Sequence, residues 1–286
     1  MCGRVAPTHH NALWVGRAAA RRGTNCFTHA KGVMDHQQGA TCPEVRVDIP
    51  SYTEPDINRL LIPQAKGKGS VHCRVKRHRE DGVLELCIEQ GSIFVLAARR
   101  KGQDWLVSEQ KNGAAHRRHI ARMRTHKDRS FTCVRASMEG TQSAPELLLV
   151  RHSTEKLSDD LPELNTMVVA LPPPSGAEPC DMQTGTLAHL MANANGQRSS
   201  GVPDGVIILE SRRPKWNPRT ETFELPFGGR ANWASARNFQ LINREGPNDR
   251  AVLLYGKMEE DEFALDFSYP LSPLHALSIV LTTWGW

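Results

Sequence analysis

Residues 269–284 read YPLSPLHALSIVLTTW, and the surroundings this stretch demands decide the fold. Just before it, FALDFSY alternates Phe263, Leu265, Phe267 and Tyr269 with Ala264, Asp266 and Ser268, the period of a strand. Pro270 ends that strand because it has no N–H to give to a ladder. Ser272 is placed to cap a helix, and Pro273 suits the first helical position. At about 100° per residue, Leu274, Leu277 and Leu281 share one side, and Ile279, Val280, Ala276 and Trp284 cover most of the rest. Only His275, Ser278 and Thr282 form a polar stripe. A helix apolar nearly all round must be buried. The run is too short for a membrane span, which needs roughly 20 apolar residues. Two arrangements satisfy the pattern: a helix enclosed on all sides by strands, or an amphipathic helix lying on one sheet.

Working outward, residues 205–286 hold short strands at close spacing: Val206–Leu209, the alternation of Phe223, Leu225 and Phe227, then Phe239 with Leu241, and Val252–Tyr255. Gly228-Gly229 turns the chain among them. Residues 59–140 are strand-like and basic. Val71, Cys73 and Val75 alternate with His72, Arg74 and Lys76, and Leu84, Leu86 and Ile88 with Glu85 and Cys87, across a Glu80-Asp81-Gly82 turn. Ile93–Ala98 runs into Arg99-Arg100-Lys101, Trp105–Val107 is a further strand, and HRRHIARMRTHKDRSFTCV is dense in arginine. Many short strands with turns between them indicate an antiparallel barrel or sandwich. Residues 141–203 read as a loop-rich insertion in which Glu146–Val150 is a short helix or strand. Residues 1–58 show no sustained period and read as an irregular, poorly ordered leader.

The net charge of +5 and pI near 8.9 suggest an anionic partner without naming it. The N-terminus lacks the continuous apolar core of a secretory signal, although its acid-free, Arg-containing start leaves an organelle-targeting reading open. Seven cysteines, none in a C-x-x-C pair, argue for reduced thiols inside a cell. The histidines lack zinc-site spacing. No nucleophile elbow, P-loop, H-E-x-x-H or carboxylate pair points to catalysis, and no cofactor or metal is expected.

Two segments of the C-terminal third, PKWNPRTETFELPFGGRANWASARNFQLI (214–242) and YGKMEEDEFALDFSYPLSPLHALSIVL (255–281), resemble the tubby domain. GSVHCRVKR (69–77), FVLAARRK (94–101), DWLVS (104–108) and HIARMRT (119–125) fall in that family's order, so the resemblance covers about residues 60–286. It implies a mainly β fold: a closed antiparallel barrel of about twelve strands around the hydrophobic C-terminal helix. It also implies a non-enzymatic, membrane-tethered adaptor that binds phosphoinositide head groups of the phosphatidylinositol 4,5-bisphosphate type. Such a protein is expected in the cytoplasm and at the plasma membrane, with the cilium and the nucleus as further sites. A protein cargo or signalling partner is implied but not named.

The family's Lys-x-Arg pair falls on Arg122 and Arg124, which period two places on one face with Met123 on the other. Two such guanidinium groups can grip neighbouring phosphates. Where the family has Asn ahead of an aromatic strand, this chain has Asp104, which would repel a phosphate unless turned away. The family's further Arg falls near Ala144, leaving Arg135 or Arg151 as stand-ins. Arg74, Arg99 and Lys101 extend the site, and Arg77, Arg100, Arg117 and Arg118 could widen it. The alternative function is nucleic-acid binding by the same basic surface, since phosphate affinity alone does not separate lipid from DNA.

Overall fold

The computed structural model describes residues 12–14, 60–111, 119–136, 146–172, 187, 206–246 and 250–284. Strands are numbered in chain order. β1 is Ala12–Trp14, β2 Val71–His78, β3 Val83–Ile88, β4 Ile93–Lys101, β5 Asp104–Ser108, β6 Ala121–Thr125 and β7 Ser130–Arg135. β8 is Glu146–Glu155, β9 Leu164–Leu171, β10 Ile207–Ser211, β11 Lys215–Asn217 and β12 Thr222–Leu225. β13 is Phe239–Asn243, β14 Ala251–Lys257 and β15 Glu262–Phe267, and the helix α1 is Pro273–Thr282. β2 to β9 follow one another round a closed antiparallel barrel that β10, β13, β14 and β15 complete.

Of the two arrangements open to α1, the enclosed one is found. Every residue of the helix is buried. Its apolar side chains form one cluster with the inward residues of the staves, from Val75 and Leu86 through Met123 and Val150 to Leu241 and Leu265. The polar stripe is enclosed too, so its atoms need partners inside protein. Ser272 caps the helix by accepting the His275 N–H, and His275 Nδ1 accepts the Ser272 N–H at 3.4 Å. Ser278 Oγ lies 3.4 Å from Cys133 Sγ. Thr282 Oγ1 donates to the Ile279 carbonyl and lies 2.7 Å from His152 Nε2, which therefore donates to it.

The C-terminal end of α1 carries the negative pole of the helix dipole, and three arginines meet it at the barrel mouth. Arg100 Nη1 donates to the Trp284 carbonyl at 3.4 Å, while Arg237 and Arg77 lie over the Trp284 ring at 4.1 and 4.9 Å. At the other end, Leu60 joins the core and the Gln64 N–H donates to the Leu271 carbonyl.

Three parts of the sequence reading change. β8 and β9 are barrel staves within the stretch read as an insertion, and β8 extends to Glu155. The Phe223–Phe227 alternation is not a stave. β12 pairs with β11 and β1 in a small separate sheet, and Leu225 and Phe227 pack with Ala231 against Leu254 outside the barrel. The leader lies outside the described residues except for Ala12–Trp14, which adds antiparallel to β12. Among the described residues no helix is long and apolar enough to cross a membrane.

The Gly228-Gly229 turn brings the following loop down onto β14, and Gly256 makes room for it. A Cβ at Gly256 would lie 2.5 Å from the Arg230 carbonyl oxygen and 2.7 Å from Ala231 Cβ. Close approach lets Arg230 reach Asp266 at 2.6 and 2.8 Å and Glu89 at 2.8 Å. Asn238 fixes the same loop, donating to the Trp233 carbonyl and accepting the Lys257 N–H. Gly256→Ala should displace backbone and cost about 1–3 kcal/mol. Its melting midpoint should fall by several degrees; an unchanged midpoint would show that the loop can yield.

Burial lowers His152 to about 3 and His275 to about 4. The unfolded chain takes up both protons near the ordinary value of 6.5, and the folded chain does not. Stability from these groups is therefore whole above about pH 6.5 and falls as pH drops towards the folded values. His72 has the opposite sign. Its hydrogen bond to Asp266 raises it, so its contribution is whole below the ordinary value and is lost as pH rises through the folded one. His275→Gln keeps an acceptor for the Ser272 N–H and removes one titrating group. Between pH 7 and 5 the wild type should lose about 2 kcal/mol more than this variant in denaturant titrations.

Candidate anion-binding face of strands β4 to β6

β4 and β5 form a hairpin closed by the Lys101–Asp104 pair, and Gly102 supplies the φ of +63° the tight turn requires. Alternation along the strands then sorts the side chains. Leu96, Ala98, Trp105, Val107 and Met123 enter the core. Arg99, Leu106 and Arg122 share one outward row, since Arg99 pairs with Leu106 and Leu106 with Arg122. One step past the Trp105–Met123 pair, Asp104 lies opposite Arg124, so Lys101, Asp104 and Arg124 make the next outward row. The expected face thus exists: Arg122 and Arg124 are exposed, and Met123 is fully buried between them.

Asp104 is where the electrostatics depart from expectation. Its carboxylate does not stand unpaired beside the arginines. Oδ2 accepts from Arg122 Nε at 2.9 Å and from Arg122 Nη2 at 2.6 Å. Oδ1 accepts the Thr125 N–H at 3.0 Å. The carboxylate therefore reaches diagonally across the ladder, away from Arg124 directly opposite. Among the described residues Arg124 and Lys101 make no ion pair, so both are uncommitted cations of the face.

One residue near the face was left aside by sequence reasoning, and one of its two stand-ins for the family Arg is placed there. His119 is lowered by burial and then by the charges of Arg122 and Lys101, so it lies within the field of these cations. Its only sequence signal was its place at the start of the HIARMRT motif. Arg151 pairs with Ser130 on the outward side of β8, and its charge helps hold Asp128 below the usual carboxylate range after the Ser130 hydrogen bond. Of the two stand-ins for the missing family Arg, Arg151 continues the face. Arg135 pairs with Ala121, in the inward phase. Ala144, Arg117 and Arg118 lie outside the described residues.

Other expected members go elsewhere. Arg74 is outward but sits four residues along β2 from His78, which shares Arg99's row through Val83. At about 3.3 Å per residue that is roughly 13 Å away along the strands. Its guanidinium is committed to Glu262 at 3.0 Å and Glu89 at 3.3 Å, in the ion-pair network that also holds Arg230. Arg77 and Arg100 serve the barrel mouth around Trp284. A cavity of about 290 Å³, lined by Arg129, His152, Arg237 and Phe239 among others, opens beside the C-terminal end of α1 rather than on this face. Among the described residues no group of three His, Cys, Asp or Glu side chains could hold a metal.

The geometry can bind anions: fixed cations on a rigid, edgeless sheet. The Tub family model matches residues 61–285. The chain is 40% identical over 80 residues to tubby protein homolog 1 of Caenorhabditis elegans, covering 28% of this chain and 18% of that protein. It is 39% identical over 80 residues to protein king tubby 2 of Aedes aegypti, covering 28% and 19%. Similarity to tubby-related protein 2 of Mus musculus is lower but broader, 26% over 277 residues, covering 85% of this chain and 47% of that protein. The chain thus spans less than half the length of each of these relatives. With the match running from the segment before β2 to the end of α1, the chain belongs to the Tub family.

Proposed function

We propose that this chain is a non-enzymatic binding module that holds phosphoinositide head groups, of the phosphatidylinositol 4,5-bisphosphate type, on the outward face of β4 to β6. The observation that carries this reading is the row of Lys101 and Arg124 on a rigid sheet, exposed and without ion pairs among the described residues. Arg122 stands beside them, two residues before Arg124 on β6. Each basic residue near an anionic leaflet contributes about 1 kcal/mol, and vicinal phosphates can engage several at once. Family membership supports a binding role rather than catalysis. On this reading the protein works at the cytoplasmic face of the plasma membrane as an adaptor in signalling or ciliary trafficking, carrying a protein partner the face itself does not specify.

Flotation with phosphatidylcholine vesicles containing a few per cent of the bisphosphate lipid tests this. Replacing Lys101 and Arg124 together by Gln should weaken binding about a hundredfold or more, from two charge-assisted contacts at about 1.5–3 kcal/mol each. Rising salt should weaken the wild type. Arg74→Gln should leave binding within about twofold, because that side chain is already paired. Free inositol trisphosphate should compete. If the double variant floats like the wild type at matched salt, the proposal is wrong. If duplex DNA competes and the inositol phosphate does not, the face belongs to nucleic acid.

A further inference from the structure

We infer that Asp104 is a built-in competitor for the anion seat of Arg122, so that this chain holds its phosphate-binding face in a weakened state that only a ligand with adjacent phosphates overcomes. The inference rests on the reading of the face proposed above. Three hydrogen bonds carry it. Two N–H groups of Arg122 converge on Asp104 Oδ2, at 2.9 and 2.6 Å, in the geometry a phosphate oxygen would take. The third, from the Thr125 N–H to Oδ1 at 3.0 Å, anchors the carboxylate to the end of β6, so it cannot swing freely away. Thr125 Oγ1 in turn donates to the Gln103 carbonyl at 2.6 Å, closing the same corner.

A single phosphate arriving at this face meets Arg124 and Lys101 but finds Arg122 occupied. To use Arg122 it must break a charge-assisted pair and face the displaced carboxylate. Adjacent phosphates can engage Arg124 and Lys101 while also pressing on Arg122, so the entering contacts outweigh the one lost. Asp104 therefore acts as a specificity-determining residue: it lowers affinity for all anions and does so most for monophosphates.

Asp104→Asn separates this role from a structural one. The amide oxygen still accepts the Thr125 N–H, while the loss of charge opens the clamp. Binding to bisphosphate vesicles should tighten about tenfold or more, and to monophosphate vesicles by a larger factor. Adding Arg122→Gln should abolish the gain. Arg122→Gln alone in the otherwise native chain should change binding to monophosphate vesicles by less than about threefold, since for that ligand the seat stays filled, and should weaken binding to bisphosphate vesicles by more. Glu80→Gln, in the exposed β2–β3 turn, alters net charge equally without touching Arg122 and should have little effect. The inference is overturned if Asp104→Asn binds like the wild type, if Glu80→Gln tightens binding as much, or if Arg122→Gln alone is as damaging as loss of Arg124. In each of those cases a weakened Lys101/Arg124 double variant leaves the proposed face standing. If that double variant is also unaffected, the face itself is misassigned.

Discussion

The enclosure of α1 is the constraint from which the rest of the molecule follows. A helix with no exposed residue needs apolar contacts on every side and an internal partner for each polar atom it carries. A single sheet meets the first need on one side only, whereas a closed barrel meets it all round. The barrel also supplies the partners. Cys133 on β7 meets Ser278, and His152 on β8 meets Thr282. The arginines at the mouth complete the arrangement where the last carbonyls of the helix have no intrahelical donors. The buried histidines are part of the same solution: neutral imidazoles can pair with a cap N–H or a threonine, and burial keeps them neutral.

Closure has a second consequence, on the outside. A barrel has no free edge strands, so its outer surface is a continuous ladder on which side chains stand at fixed spacing. Charges placed there are held by backbone geometry rather than by flexible loops. The surface is not uniform. On β2 and β15 the basic and acidic side chains neutralise one another around Arg230, and that network secures the loop packed over Gly256. On β4 to β6 the cations outnumber their partners, and Asp104 is the one acid among them. Structural and binding roles are thus divided around the barrel, although residues such as Arg74 and Arg124 look alike in composition.

What each level of description decides can be seen in particular residues. The terminal helix was legible because its apolar positions run all round, and that demands burial whatever the neighbours are. The outward placing of Arg122 and Arg124 was legible because strand period alone sets it. β9 was not legible. Its Met167, Val169 and Leu171 lie in a stretch dominated by turn residues, and an isolated run between loops has no period partner to mark it. The run at Phe223–Phe227 had the alternation of a stave but lies outside the barrel, because alternation reports a half-buried strand and not which sheet buries it.

By itself local periodicity determined that the terminal helix must be buried, that short strands dominate and that the basic pair shares one face; the closed barrel came from the family resemblance, and only the folded chain chose enclosure over packing on one sheet. Tertiary structure decided the pairing of charges. Arg74, Arg77 and Arg100 read as members of the basic surface, and only the folded chain brings Glu89, Glu262 and Trp284 to them from distant positions. The same holds for Asp104. Its register places it opposite Arg124, yet its carboxylate turns diagonally to Arg122 because the Thr125 N–H holds the other oxygen. A salt bridge forms between groups a few ångströms apart, and sequence separation carries no information about that distance until the strands are in register.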